Sequence, residues 1–445
     1  MNDLAPENIV APGLAARRGA AELLGAVLTR RRPLDEAFSV ETASGHLRDA
    51  SPRDRAFARQ IAATTLRRLG SIDHVLARML DKELPKRAGP TQNILRAGAA
   101  EILFLGVAAH AAVDSGVETA AHDSAARHFK SLVNAVLRRL AREGKEILDA
   151  LDTERLDTPG WLWESWVGTY GEATTRAIVR AHYADPPLDI SVKRADERER
   201  WAAELNAEIL AAGTLRLKGA GRIEALPGFA EGAWWVQDAA AALPARLLGD
   251  VAGREVLDLC AAPGGKTAEL AGVGARVTAL DRSGARLERL KENLVRIGLE
   301  AETVVADAGA FAPGRTWERV LLDAPCTATG TARRHPDVLH LKSPADRDKL
   351  TRLQAKLLAH AATLVAPGGM LVYCTCSLEP EEGVARVAEF LDTHTGFCRE
   401  PARAAELGNI DGIVTAAGDL RSLPCHLGDQ GGMDGFFAAR LVRPG

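Results

Sequence analysis

Three aspartates and two cysteines fall where short apolar runs stop. Asp323-Ala324-Pro325-Cys326 follows Val320-Leu321-Leu322, a run short enough for a buried strand. Val372-Tyr373-Cys374-Thr375-Cys376 ends another, and Asp281 and Asp307 close the runs 276–280 and 303–306. Open α/β sheets hold their ligands beyond the carboxyl ends of their strands. Carboxylates there can take hydroxyl groups or a ring nitrogen. A thiol there can attack an electron-poor carbon once it is ionised, and a free thiol titrates at about 8.5, so its surroundings must favour the thiolate.

A glycine loop joins this set. Leu257-Asp258-Leu259-Cys260-Ala261-Ala262-Pro263-Gly264-Gly265-Lys266-Thr267 reads as strand, tight loop and helix start. Small residues let backbone approach a ligand, and a helix N-terminus offers free N–H groups. The loop matches neither Gly-x-Gly-x-x-Gly nor Gly-x-x-x-x-Gly-Lys-Ser/Thr, so neither a dinucleotide nor a nucleoside triphosphate is the first expectation. One strand-end aspartate is ordinary, but three around one loop point to a nucleoside. Asp281 lies at the distance expected for a ribose-binding acid, and Asp307 is placed to meet an adenine. The cofactor that needs such contacts without a phosphate clamp is S-adenosyl-L-methionine.

Two thiols beside that cofactor suggest pyrimidine chemistry. Thiolate addition at C6 of cytosine makes C5 nucleophilic, and a carboxyl such as Asp323 at the N3 side makes the ring electron-poor. The C5 proton must then leave, so one cysteine attacks and the other assists release. The Pro-Cys pair at Cys326 is the nucleophile pattern of DNA cytosine-5 methyltransferases, so spacing alone favours the wrong choice if Cys376 attacks. An adenine N6 methyltransferase needs an Asn/Asp-Pro-Pro-aromatic turn, which Asp323-Ala324-Pro325-Cys326 is not. Cys374, Cys376 and Cys326 make a poor zinc pattern without a nearby fourth ligand, so no metal is expected and Cys374 is read as packing. Cys260 reads as a buried small hydrophobe, and Cys398 and Cys425 as structural.

The elements needed to position these residues are legible. Of the 445 residues 47% are hydrophobic and 26% charged, with net charge −3, which fits an ordinary globular protein of two or three domains. Six cysteines and the absence of a signal pattern or long apolar run lead to an expectation of free thiols, a cytoplasmic location and no membrane partner. Residues 1–150 carry 22 Lys and Arg against 18 Asp and Glu, a net +4, and the remainder nets −7; this is weak evidence for RNA. After a loose tail over 1–13, the first block is alanine-, leucine- and arginine-rich, with helical spacing at Ala20, Leu23, Leu24, Val27 and Leu28. Ser51-Pro52 opens a further helix, and others fit 73–80, 91–104, 111–124 and 129–142. Residues 151–235 read as a small α+β insert, with strands at 188–193, 215–217 and 222–226 and a helix over 201–212. Trp234 and Trp235 could stack bases, but packing is the expected role. From Gly253 strands and helices alternate, the pattern of a doubly wound, mostly parallel sheet, closed by a final strand over 436–442.

Together, the loop through Lys266, Asp281, the run Asp323-Ala324-Pro325-Cys326-Thr327-Ala328-Thr329-Gly330 followed by Arg333-Arg334-His335-Pro336, and Thr375-Cys376-Ser377 resemble the RNA cytosine-5 methyltransferases of the Sun/NOP2/RsmB family. The helical block, with Ser131-Leu132-Val133-Asn134 near its end, resembles the RNA-binding NusB domain; a helical protein-binding adaptor fits its sequence equally well. The resemblance implies an all-α NusB-like domain over 1–150, a small α+β subdomain over 151–235, and an α/β Rossmann-like class I methyltransferase domain over 236–445. It implies Cys376 as nucleophile, Cys326 for product release, and Asp323 at both cytosine and cofactor. It implies a cofactor site of Cys260, Ala261, Ala262, Pro263, Gly264, Gly265, Lys266, Asp281, Asp307 and Asp323, and RNA contacts at Arg333, Arg334 and His335. Lys266 either neutralises Asp323 or caps the loop. The implied partner is ribosomal RNA, most readily 16S, with tRNA, 23S rRNA or a ribosome-assembly role as alternatives, and the chain is expected to be monomeric.

Overall fold

The computed structural model describes residues 13–219 and 221–445; most of the tail over 1–13 lies outside them. The chain divides into two compact units, residues 1–164 with 335–341, and residues 165–334 with 342–445.

The first unit is helical: Leu14–Leu28, Leu34–Ser44, Pro52–Arg67, Leu69–Met79, Thr91–Leu103, Ala109–Ala121, Lys130–Asp149 and Thr153–Asp157. Ser51 caps its helix by accepting from the Asp54 N–H, with Pro52 in the first turn, as the sequence predicts. Leu34–Ser44 was not expected, because its apolar positions are few; of its residues Leu34, Ala37 and Glu41 are buried. Leu23, Leu24 and Val27 pack against Ile61 and Leu66 in one core. Val133, Leu137 and Leu140 of the long last helix pack with Ile72, Leu76 and Leu95 in another. The segment His335–Leu341 belongs to this unit. Asp337 accepts from the Leu34 N–H at 3.0 Å, and His340 Nε2 bonds the Leu66 carbonyl at 2.8 Å.

The second unit holds two sheets. Strands β1 (Leu188–Val192), β2 (Glu208–Ile209), β3 (Leu215–Leu217) and β4 (Trp234–Val236) form an antiparallel sheet in the order β2-β3-β1-β4. The strand expected over 222–226 is instead a 3-10 turn, Ile223–Ala225, and the helix expected over 201–212 spans Arg198–Glu204, leaving room for β2. Trp234 and Trp235 are buried, Trp234 in the insert's own core and Trp235 against the main domain, so packing is their role.

The main sheet has β5 (Glu255–Leu259), β6 (Arg276–Asp281), β7 (Glu302–Val305), β8 (Trp317–Asp323), β9 (Val365–Thr375), β10 (Cys398–Arg399), β11 (Leu420–Ser422) and β12 (Phe436–Val442). The order is β10-β12-β9-β8-β5-β6-β7, with β11 paired to β12. The five strands from β9 to β7 are parallel, whereas β12 runs antiparallel to β9. Val320, Leu321 and Leu322 of β8 are all fully buried, as expected for a parallel strand covered on both faces. The chain steps outward from β5 through β6 to β7, then returns to place β8 on the other side of β5. The carboxyl ends of β5 and β8 therefore flank a topological switch point, where such sheets bind ligands.

Candidate active site

The loop after β5 and the start of helix Gly265–Gly272 form one wall. Cys260 and Gly264 turn the chain with positive φ, 62° and 103°. A Cβ on Gly264 would lie 2.7 Å from Leu290 Cγ, so glycine fits both the backbone angle and the packing. Ahead of this loop, Asp258 is fully buried. Its Oδ2 accepts from Thr267 Oγ1 at 2.6 Å, and its Oδ1 has no hydrogen-bond partner. Burial above all, with the Asp323 charge adding, pushes its carboxyl up to about 7.

Lys266 settles between its two expected roles. Its Nζ lies 2.8 Å from Asp323 Oδ2 and 4.8 Å from the centre of the Phe436 ring. Burial works against its charge, but Asp323 more than offsets this, and the ammonium is held. Cys374 is buried, with Sγ 3.5 Å from Asp323 Oδ1, and is a packing residue as expected.

Cys326 and Cys376 meet. Their Sγ atoms are 3.5 Å apart. The hydrogen bond to Cys376, then burial, raises the Cys326 thiol well above its ordinary value. Burial likewise raises Cys374 and pushes Cys260 up to about 12. A cavity of about 380 Å³ opens over this centre, lined by Trp235, Gln237, Asp258, the loop from Pro263 to Lys266, Asp323, Arg334, Cys376 and Phe436. Cys326 is not in that lining. Gln237 Nε2, buried in the wall, has no partner. A larger cavity, about 860 Å³, lies at the opposite ends of β5, β6 and β7; it contains no thiol, so size does not locate the chemistry.

Asp281 and Asp307 end or follow their strands as predicted, but neither lines the 380 Å³ cavity. Asp281 is buried and accepts from the N–H groups of Ser283 at 2.9 Å and Ala262 at 3.3 Å, with Arg286 3.4 Å away. Asp307 is exposed and accepts from the Gly309 N–H. Arg333 is not at the surface where an RNA contact would need it. It is 1% exposed, paired with Asp238 at 2.7 Å and donating to the Gly431 carbonyl. Arg334 binds Asp434 and is partly open. His335 lies 3.3 Å from Asp35 within the helical unit.

Sequence reasoning missed the buried acids that fasten these loops. Glu379 accepts from Trp166 Nε1 and Ser165 Oγ, Glu382 gathers donors from both cysteine loops, and Asp434 anchors Arg334. The signal available was Glu379-Pro380-Glu381-Glu382, one residue beyond Thr375-Cys376-Ser377, which sets three carboxylates within four residues beside the thiol turn. The helix that follows begins at Val384, so these acids lie in the turn before it.

A parallel sheet with its order reversed at β5, a glycine loop feeding the first helix and acids at the strand ends define a class I S-adenosylmethionine-dependent methyltransferase domain. The orphaned Asp258 Oδ1 and Gln237 Nε2 offer an acceptor and a donor inside its cavity, whose volume falls within the about 300–1,000 Å³ usual for small-molecule sites. Comparison with known proteins agrees. Residues 245–442 match the model of the 16S rRNA methyltransferase RsmB/F family and residues 14–142 that of the NusB family. Ribosomal RNA small subunit methyltransferase B of Pseudomonas putida is 37% identical over 371 residues, 79% of this chain and 82% of that one. The probable enzyme of that name from Synechocystis is 38% identical over 359 residues, 76% and 79% respectively. The crystal structure of PH0851 superposes with TM-score 0.76 at 26% identity, covering 98% of this chain and all of that one. NSun6 from Pyrococcus horikoshii, solved with SFG, shares the fold at TM-score 0.56 and 20% identity, over 64% of this chain and 98% of its own. The chain belongs to the RsmB/F family of 16S rRNA methyltransferases, with a NusB-family domain in front. Among the described residues no helix is long and apolar enough to cross a membrane, and no cluster of His, Cys, Asp and Glu could hold a metal ion.

Proposed function

We propose that the protein methylates C5 of a cytosine in small-subunit ribosomal RNA, in the cytoplasm and as a monomer, with Cys376 as the nucleophile. The observation that carries this reading is the pair of sulfurs 3.5 Å apart, of which Cys376, and not Cys326, opens into the cavity shared with Asp323 and the glycine loop. S-adenosylmethionine, when bound, supplies an electrophilic methyl group. The loop from Cys260 to Lys266, with Asp258 and Gln237, would hold it, and Asp281 and Asp307 stand at the strand ends next to that loop.

Cys376 adds through Sγ to C6, and the electron pair moved to C5 gives that carbon its nucleophilicity. Asp323 meets the N3 side and hands N3 a proton that the Lys266 ammonium beside it resupplies, which neutralises the charge that addition creates. After methyl transfer the C5 proton leaves to a base, the electrons return to the ring and the C6–Sγ bond breaks. Cys326, behind Cys376, assists this release. Arg334, at the cavity edge, and His335 are candidates for RNA contact; Arg333 instead holds the loop.

The test is incubation with methyl-labelled S-adenosylmethionine and 16S rRNA, naked or in assembling small subunits, with 23S rRNA and tRNA alongside, followed by bisulfite sequencing. One protected cytosine in 16S rRNA is expected. Label confined to tRNA or 23S rRNA would overturn the substrate, and no 5-methylcytosine in any RNA would overturn the reaction.

A further inference from the structure

We propose that Glu382 is a positioning residue that fixes the separation of the two thiols by holding the residue immediately following each of them. The inference rests on the roles proposed for Cys326 and Cys376. Glu382 is fully buried and has no place in the cavity lining. Its Oε2 accepts from Ser377 Oγ at 2.6 Å and from Thr327 Oγ1; these two hydroxyls are themselves 3.0 Å apart. Its Oε1 accepts from the Thr327 N–H at 3.0 Å and from Gln354 Nε2 at 2.9 Å. Thr327 follows Cys326 and Ser377 follows Cys376, so one carboxylate ties both thiol-bearing turns at their first residue.

The chemistry of the donor set explains why an acid stands there. Four hydrogens from two hydroxyls, one backbone amide and one side-chain amide converge on it. An ionised carboxylate is acceptor-only and can take all four, whereas an amide of the same shape places an NH₂ where two of those donors point. A neutral isostere therefore leaves buried donors unpaired, which is costly and opens the turn. Further ties exist, from the Gly330 N–H to the Cys376 carbonyl at 3.0 Å and from the Leu378 N–H to Thr329 Oγ1 at 3.0 Å. The first acts on the Cys376 backbone and the second farther along both loops, and Arg421 Nη1 donates to the Ser377 carbonyl at 2.6 Å; Glu382 takes donors from both residues that follow the sulfurs.

The test reads thiol separation directly. Dibromobimane becomes fluorescent when both its arms are displaced by neighbouring thiols, and peptide mass spectrometry assigns the bridge to Cys326 and Cys376. In full-length Glu382→Gln we expect bridging about tenfold slower than in wild type and methyl transfer slower on the order of 10²-fold, the usual cost of a small misplacement of reacting groups. The KM for S-adenosylmethionine should not change, since the cofactor loop is untouched, and a merely destabilised fold would not give this split. Thr327→Val, which removes one hydroxyl donor, should fall between. Wild-type bridging and turnover in Glu382→Gln would overturn the proposal. Should that variant not fold, unchanged bridging in Thr327→Val would overturn it. A wild type that bridges its thiols but methylates no RNA overturns the functional reading instead, and the bridging rates still decide the placement.

Discussion

Cys326 Sγ and Cys376 Sγ come within 3.5 Å of each other, although 50 residues separate them. The sheet explains this: β8 and β9 are parallel neighbours with Asp323 in register with Cys374. Each strand ends within three residues of its cysteine, so the two turns leave the sheet edge side by side. The Gly330 N–H then bonds the Cys376 carbonyl and closes the turns together.

That closeness makes the two cysteines separable by experiment. Cys376→Ala is expected to abolish methyl transfer, because no other thiol lines the cavity. Cys326→Ala should still add to cytosine but release slowly, accumulating a covalent protein–RNA adduct. A denaturing gel after incubation with rRNA and cofactor reads both. A slow band from Cys376→Ala, and none from Cys326→Ala, would reverse the roles.

Lys266 and Asp323 predict a coupled pair. The lysine side chain is 9% exposed and the aspartate 32%. Lys266→Met leaves Asp323 facing the buried Asp258 carboxyl without its cation. The expected loss is on the order of 2 kcal/mol, below the about 3–5 seen when a fully buried pair is broken, because water still reaches Asp323. Adding Asp323→Asn should restore part of that stability without restoring methylation. Thermal melts of the two single variants and the double variant give the coupling, and strict additivity would show that the contact carries nothing.

How much of this was legible depends on which forces wrote each feature. The strand ends carrying Asp281 and Asp323, the glycine loop and the terminal strand were readable because apolar runs and turn residues are local signals. Cys376 and Cys326 were readable as a pair from the strand ends, but Cys376 as the nucleophile came only through family resemblance, since the Pro-Cys spacing by itself favours Cys326. Arg333 was misplaced at the RNA because an Arg-Arg-His run reads as exposed, whereas its partners Asp238 and Asp434 lie 95 residues before it and about a hundred after it. Glu382 and Glu379 escaped for the same reason. A buried acid is defined by donors brought from Thr327, Gln354 and Trp166, and no window of sequence holds them together. The segment 335–341 joined the helical unit through Asp337 and His340, which nothing in its local composition announces.

Gly330 gives a steric prediction. A Cβ there would lie 2.0 Å from the Gly435 carbonyl oxygen and 2.9 Å from that of Cys376, and both are backbone atoms that cannot rotate away. Gly330→Ala must therefore separate the Cys326 turn from β12 and from the Cys376 turn. A destabilisation of about 1–3 kcal/mol is expected from overpacking, together with loss of methyl transfer beyond what the melting shift explains. A variant with wild-type turnover would mean that the contact between the turns is not needed for chemistry.

Glu379 predicts how stability depends on pH. It is fully buried, and burial, opposed by hydrogen bonds from Ser165 and Trp166, raises its carboxyl from 4.5 to about 7. The folded protein thus binds a proton that the unfolded chain has already lost between those values. Stability from this group is complete below about 4.5, declines as pH rises through the window and is gone above about 7, where the buried carboxylate must ionise. Glu379→Gln keeps an acceptor for Trp166 and can donate to Ser165, and it has no proton to lose. The variant should match wild type near pH 5 and become the more stable of the two above pH 7, as read by denaturant titrations at both values. If the two stability profiles stay parallel across that window, Glu379 is ionised in the folded protein throughout, and the interior around Trp166 is more polar than its burial implies.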